Sequence, residues 1–366
     1  MELMLMKRYI ILALVATMFA GCVNDMTQDV DMSVGAKKFY ATLTSVESRV
    51  QLNSEKETVW TKGDEIIVFT DNNKIYRASF DGETGDQKGS FTTTKTYTYS
   101  SEISEPYAVY ASDATELKLV KWNDNQVGSA VTIPTTQNYL KDSYASNTNV
   151  MIGTPTDGTN FKFKNVLSYL RLGLTGNQRV RSLTIESNAG EAITGNIALR
   201  LDNCDYFMYY QHSSSTVTID CGTGVQLSAT PTYFYAAITP TTLSEGFTAT
   251  IELEDGTTLS QTTNKSIVIE RNCIYPMATI ATAINESDYK NIYIHHTAKS
   301  FMVPYIEAMN SVVDWGDGNT SSIDKYLTYD YLDNATSHII TIKAVKPRII
   351  SIPSMKGVTK LDFSNL

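Results

Sequence analysis

Val59-Trp60-Thr61-Lys62-Gly63-Asp64-Glu65-Ile66-Ile67-Val68-Phe69 carries the pattern from which the fold class follows. Ile66, Val68 and Thr70 alternate with Ile67 and Phe69, a period of two that belongs to a strand rather than a helix. β-Branched and aromatic residues of this kind suit a pleated, half-buried surface. Trp60 and Phe69 read as core residues, and Gly63-Asp64 between them reads as a turn or bulge. The same grammar extends outward. Phe39, Ala41 and Leu43 alternate with Tyr40, Thr42 and Thr44, and Thr248 to Asp255 alternates before Asp255-Gly256 turns into Thr257-Thr258-Leu259. Further turn signals stand at Asp71-Asn72-Asn73, Asp81-Gly82, Asn123-Asp124-Asn125 and Asp157-Gly158. No capped amphipathic run of helical length follows the N-terminal segment. Many short strands at this spacing make the mature chain all-β, built of sandwiches.

Composition agrees with that reading and removes other classes. Of 366 residues, 42% are hydrophobic and 19% charged, with 22 Tyr against 12 Phe and 3 Trp, which is not the profile of a disordered chain. The net charge is −9, from 39 acids and 30 bases, and no basic stripe offsets it. A phosphate backbone would be repelled, so nucleic acid is not an expected partner. The length accommodates two or three domains.

The N-terminus reads as an address. Lys7 and Arg8 precede an apolar run from Tyr9 to Phe19. As a helix that run spans about 17 Å, short of a hydrocarbon core of roughly 30 Å. A signal peptide over 1–21 fits it. Phe19-Ala20-Gly21-Cys22 resembles a bacterial lipobox, in which the Cys22 thiol takes a diacylglyceryl group and the freed amine a further chain. Two or more chains give lasting anchorage. The plainer alternative is a secretory signal with a chance cysteine. Residues 22–37 then form a polar tether whose acidic stretch, Asp25 to Asp31, resembles the surface-export signals of Bacteroides-type lipoproteins. The expected location is the cell outer membrane, surface-exposed and held by lipid.

Four further segments are expected. Residues 38–160 form a first sandwich. The run Phe161 to Leu172 looks like a strand crossing into a new sheet and opens a second sandwich, 161–284, before the polar break Asn285-Glu286-Ser287-Asp288. A third module spans 288–346, from the strand Asn291–His295 to the strand His338–Lys343, and a tail runs over 347–366.

Several of these pieces carry a family resemblance. Val59 to Phe69 resembles the "v-W-t-x-G-D-x-I-x-v-f" strand of the fimbrillin-like (Mfa-like) lipoproteins of Bacteroidales. Tyr107-Ala108-Val109-Tyr110 is similar to their "Y-a-v-Y-P" strand, with Ala111 in place of Pro. Thr132-Ile133-Pro134 with Gln137, Asn149 to Gly153, Phe163 to Leu172, and Val180 to Ile185 with Gly195 resemble later segments, in family order. The resemblance implies two transthyretin-like β-sandwiches in tandem and a role in fimbriae or related surface adhesins. Farther on, Asp314-Trp315-Gly316-Asp317-Gly318 resembles the "W-x-F-G-D-G" turn of PKD domains, which implies a small PKD-like β-sandwich. Tyr329-Asp330-Tyr331 and His338 to Lys343 match its later strands in part. The tail has apolar residues every three positions, similar to the opening of a leucine-rich repeat. One such unit cannot bury its own face, so the tail reads as a docking strand or the stump of a longer ancestor.

Reactive arrangements are scarce. The motifs of serine hydrolases, zincins and P-loops are missing from the sequence. His295 and His296 are adjacent on an alternating strand and point to opposite faces, so they do not chelate one ion together. Glu252 and Glu254 share a strand face at about 7 Å, a spacing glycosidases use, yet their Thr-rich surroundings read as a plain solvated face. Asp314 and Asp317 suggest calcium oxygens, but Asp-Gly turn chemistry accounts for both. No catalytic residue, metal or cofactor is therefore assigned. Cys204, Cys221 and Cys273 remain after lipidation, an odd number that leaves at least one thiol unpaired unless a partner supplies another. Cys204 and Cys221 could face each other across a hairpin through Ser213-Ser214-Ser215, and whether they pair is left open. In Tyr206-Phe207-Met208-Tyr209-Tyr210 one strand face must be core. Tyr206, Met208 and Tyr210 share one face and Phe207 and Tyr209 the other, so the ligand-contact candidates Tyr206, Phe207, Tyr209 and Tyr210 divide between them. The face that is not core either stacks on sugar rings or protein or forms cross-strand aromatic pairs.

The function expected is a non-catalytic, lipid-anchored adhesin or fimbria-associated subunit, with other fimbrial subunits, a host protein or a glycan as partners. The alternative is a glycan-binding surface lipoprotein of a polysaccharide uptake system, and a carbohydrate-active enzyme comes third. The resemblance also implies assembly by strand exchange after a trypsin-like cut, for which Arg49 stands in place. A cut there would release the first strand together with the lipid, so the expectation is a chain that keeps its first strand and acts as a monomeric or capping protein.

Overall fold

A computed structural model describes residues 24–25, 35–44, 47–48, 59–71, 74–98, 106–112, 118–121, 127–202, 205–284, 286–323, 326–333, 335–353 and 355–365. The chain is all-β: among the described residues the helical elements are two 3₁₀ turns, Ser146–Thr148 and Glu286–Asp288. No helix there is long and apolar enough to cross a membrane.

The N-terminal part closes at its edges into a barrel of seven strands. Its order is Val150–Pro155, Asn160–Asn165, Lys38–Leu43, Lys88–Thr98, Lys74–Phe80, Glu65–Phe69, Tyr107–Ala111 and back to the first. Closure leaves no unpaired strand edge. Alternation then sorts the side chains. Phe39, Ala41, Ile66, Val68, Phe91, Phe161 and Phe163 fill the inside around Trp60. Ile67, Phe69, Tyr107 and Val109 point out and are still buried, because the next layers cover them. That is why Glu65–Phe69 is apolar on both faces instead of half polar.

The cover comes from one sheet of the second sandwich, through Tyr169, Tyr235, Ala237 and Ile274, and from the sheet of Val127–Ile133 and Thr194–Asp202, through Val131, Ile133, Ile197 and Leu199. The sandwich itself has two sheets. One sheet orders Thr232–Ile238, Ser168–Thr175, Cys273–Pro276 and Glu47–Ser48, and the other orders Thr136–Asn138, Thr216–Gln226, Arg179–Ser187, Phe247–Leu253 and Thr258–Thr263. Leu170, Leu172 and Leu174 face the sandwich core, whereas Tyr169, on the opposite face of the same strand, packs against the barrel. The run that crosses into a new sheet changes sheets at Val166-Leu167: Asn160–Asn165 belongs to the barrel and Ser168–Thr175 to the sandwich. Early segments also lend strands forward. Val127–Ile133 pairs with Thr194–Asp202 in a further sheet, Thr136–Asn138 pairs in parallel with Thr216–Gln226, and Glu47–Ser48 pairs with Cys273–Pro276.

The hairpin expected to set Cys204 opposite Cys221 is not formed, and Cys204 lies outside the described residues. Cys221 is a buried free thiol. Asp205–Ser214 and Thr216–Gln226 are consecutive but lie in different sheets, so Ser215 is a crossover and not a hairpin tip.

The C-terminal module is a sheet of Thr320–Ser322, Asn310–Asp314, His338–Val345, Tyr289–His296 and Val358–Asp362, with two short ribbons over its core. One ribbon pairs Ser300–Met302 with Thr328–Asp330, and the other pairs Tyr305–Glu307 with Ile349–Ser351. The tail thus supplies one strand to the sheet and one to a ribbon.

Candidate functional site

The segments that carry the family resemblance meet in the barrel and along its seam with the sandwich. Trp60 sits in the barrel with Phe91, Tyr110 and Phe163 edge-on, at centroid distances of 4.9, 5.2 and 5.5 Å. The turn after it is tight: Asp64 N–H donates to the Thr61 carbonyl at 2.9 Å and Thr61 N–H to Asp64 Oδ2 at 2.7 Å. Gly63 provides the φ of 97° that this turn requires. Asp64 Oδ1 accepts the Tyr110 hydroxyl at 2.9 Å. Burial pushes the Asp64 carboxyl up despite those donors, and burial together with the facing carboxylate drives the Tyr110 hydroxyl far up. The Gly-Asp pair is therefore a latch between two barrel strands.

The seam depends on two buried amides. Gln137 is 0% exposed. Its Nε2 donates to the Ala237 carbonyl at 2.8 Å and its Oε1 accepts Ala237 N–H at 2.9 Å, so a side chain stands in for a strand partner. Asn165 donates through Nδ2 to Asn149 Oδ1 at 2.9 Å and to the Tyr169 hydroxyl at 2.7 Å, while its Oδ1 accepts Leu167 N–H at 2.8 Å. The sheet change at Val166-Leu167 is held by this residue. The spacing of both residues was visible in the sequence as motif positions, but the backbone each one satisfies lies a hundred residues away in the case of Gln137.

In the C-terminal module both aspartates of the Asp-Trp-Gly-Asp-Gly turn serve the turn. Asp314 Oδ1 accepts Gly316 N–H at 2.9 Å, Asp317 Oδ1 accepts Asn319 N–H at 3.0 Å, and Asp317 Oδ2 accepts the Tyr329 hydroxyl at 2.8 Å. Against the desolvation that raises it, the bonds from Asn319 and Tyr329 hold the Asp317 carboxyl below its usual range. Among the described residues no three His, Cys, Asp or Glu converge as metal ligands. Trp315 is fully buried, donates to Ser321 Oγ at 3.0 Å and stacks on Tyr329 at 4.5 Å. A Cβ on Gly316, at φ 79°, would lie 2.3 Å from the Ile339 carbonyl oxygen, whereas one on Gly318, at φ 92°, would meet open space. Gly316→Ala should therefore destabilise this module by about 2 kcal/mol or more, the left-handed penalty plus a backbone clash. Gly318→Ala should cost about 1 kcal/mol, the conformational penalty alone. Denaturant unfolding of the two variants checks the ordering.

The remaining candidates are placed as follows. Asp205–Ser214, which carries the aromatic patch, is an edge strand. Tyr206, Met208 and Tyr210 stand in register with Leu201, Leu199 and Ile197, and Phe207 and Tyr209 with Arg200 and Ala198. Leu199 and Ile197 are core residues. Glu252 accepts Ser182 Oγ at 3.0 Å and Glu254 pairs with Arg179 at 3.2 Å, an engaged surface ladder. Cys22, Arg49 and Cys204 lie outside the described residues. One feature had no signal in the sequence. A cleft of about 510 Å³ opens between the sandwich and the C-terminal module, lined by Phe247, Gln261, Ile267, Met277, Met309 and Arg348. Ser260 N–H donates to the Met309 carbonyl at 2.7 Å and Arg348 to the Thr262 carbonyl at 2.8 Å, so the two walls are bonded together. Residues this far apart in sequence form no motif.

No family model matches the chain, and no curated protein matches it. Among solved structures it is similar to a protein of Bacteroides ovatus ascribed to cell adhesion, at 10% identity and a TM-score of 0.39, over 67% of this chain and 91% of that one. It is also similar to a protein of Bacteroides uniformis with the same ascription, at 12% identity and a TM-score of 0.36, over 67% and 93%. A third is the tip fimbrial protein Mfa3 of Porphyromonas gingivalis, at 8% identity and a TM-score of 0.30, over 81% and 100%.

Proposed function

We propose that this chain is a non-catalytic cell-surface adhesin or fimbria-associated subunit, held at the outer membrane by lipid on Cys22. One observation carries the reading. The motif residues Trp60, Asp64, Gln137 and Asn165, which resemble those of fimbrillin-like proteins, are spent on the barrel and its seam, and none joins a reactive cluster. The first strand supports a non-polymerising role. Lys38–Leu43 is bonded on both sides within a closed barrel, with Phe39 and Ala41 buried, and leaves no open groove while it stays. Anchorage follows from Cys22. Cys22→Ala should move the protein from the membrane fraction to the soluble fraction, and mass spectrometry of the native chain should find an acylated N-terminal cysteine. An unmodified chain starting elsewhere sinks the anchored reading.

A second reading, glycan binding for an uptake system, is favoured by the aromatic strand standing at a sheet edge. Aromatic anchors dominate such binding surfaces, which gives it a clear test. On a glycan array the chain should show micromolar binding to one polysaccharide, weakened at least tenfold by Tyr209→Ala. Absence of any glycan binding leaves the adhesin reading, and turnover of any glycan defeats both.

A further inference from the structure

His296 closes the strand Tyr289–His296 and His338 opens the strand His338–Val345, and antiparallel register sets them opposite each other. His296 is 0% and His338 5% exposed, with ring centroids 5.6 Å apart. Phe301 stacks on His296 at 4.0 Å and Tyr331 on His338 at 3.6 Å. The Tyr331 hydroxyl donates to the Trp315 carbonyl at 2.9 Å and stands 3.2 Å from His296 Nε2. A hydroxyl has one proton to give, so towards His296 its oxygen accepts, and neutral His296 carries its proton on Nε2. Phe301 and Tyr329 belong to the ribbon of Ser300–Met302 and Thr328–Asp330, and Tyr331 follows it directly. The ribbon thus lies as a lid over two imidazoles and over Trp315.

We propose that His296, set opposite His338, is an acid-sensitive latch, whose protonation loosens this ribbon and uncovers Trp315. The charged groups around it decide the direction. Asp333 stands 3.4 Å from His338 Nε2 and gives that ring a counter-ion. Lys299 at the start of the ribbon bonds the Asp333 carbonyl. The Asp314 and Asp317 carboxylates act on Tyr331, and both are already engaged by turn donors. On the His296 side the Ala298 backbone favours the cation, but burial first and His338 second outweigh it and hold His296 down to about 4. The unfolded chain takes up this proton at about 6.5. Between the two values the unfolded state holds more protons, so the stability present at neutral pH declines as pH falls from the unfolded value through the folded one. The stacked lid is the element that yields, because it is a two-stranded ribbon of three-residue strands, which is marginal alone.

Hydrogen–deuterium exchange of the full chain, at neutral pH and at about pH 4.5 with intrinsic rates corrected, tests this. The ribbon Ser300–Met302 and Thr328–Asp330 should lose protection by roughly tenfold or more in acid while the barrel strands Glu65–Phe69 and Tyr107–Ala111 keep theirs. His296→Phe should abolish the acid sensitivity. If that variant does not fold, proton NMR of the wild-type chain decides, because ribbon resonances should move with the same midpoint as the His296 ring. Unchanged ribbon protection in acid, a loss that persists in a folded His296→Phe chain, or ribbon shifts that follow neither imidazole would overturn the proposal.

Discussion

Trp60→Ala should cost the barrel about 3–5 kcal/mol, the range for deleting a large aromatic from a packed core. The indole is 0% exposed and meets Phe91, Tyr110 and Phe163 edge-on, so its removal leaves a void with rigid rings on several sides. Closure prevents the wall from collapsing inward, because each strand is bonded on both edges. The residue also ties the chain, its N–H donating to the Asp86 carbonyl at 2.7 Å and its carbonyl accepting Gly85 N–H at 3.0 Å. Those backbone bonds survive the substitution, so the loss is one of packing. Trp60→Phe separates the terms. The buried Nε1–H meets no acceptor among the described residues, and Phe removes that donor while refilling much of the void. Its cost should be no more than about half that of Ala. Denaturant unfolding followed by circular dichroism reads both. Equal losses for Ala and Phe would show that the indole is held for something other than volume.

Gln137→Ala should cost about 3 kcal/mol, although it removes no aromatic and leaves only a small void. The reason is accounting of polar groups. Ala237 N–H and C=O both bond the Gln137 side chain, at 2.9 and 2.8 Å. Truncation leaves two buried backbone groups unpaired, at roughly 1–3 kcal/mol each, less whatever a water recovers. Gln137→Glu is the sharper probe. It keeps the shape and the acceptor for Ala237 N–H, but turns a carboxylate oxygen towards the Ala237 carbonyl in a buried site. It should be at least as damaging as Ala at neutral pH and should recover in acid, where a protonated carboxyl donates to that carbonyl again. A loss below about 1 kcal/mol for both variants would mean that the seam is held without this clamp.

Much of the strand content was legible because alternation is local. Phe39, Ala41 and Leu43, or Thr248 to Leu253, show their buried face in the order of residues alone, and the structure buries those faces. The role of Trp60 as core and of Gly63-Asp64 as a turn was legible for the same reason. Asp314 and Asp317 could be read as turn acceptors because Asp-Gly chemistry acts over two or three residues. The crossover at Ser215 was not legible, since a tight polar link such as Ser213 to Ser215 looks alike whether the chain folds back or crosses to another sheet.

Side-chain period and φ preferences act within a few residues, and they sufficed for the all-β class, the barrel's inward face and the turns. Which strands became neighbours was a matter of tertiary structure. It placed Ala237 against Gln137, chose the layers that cover Ile67 and Phe69 on the outer face of the barrel, and joined Arg348 to Thr262 across the cleft. It also set His296 opposite His338 beneath the ribbon. These pairings depend on strand register between segments many residues apart, and that register is chosen by the packing of whole sheets, which no local pattern encodes.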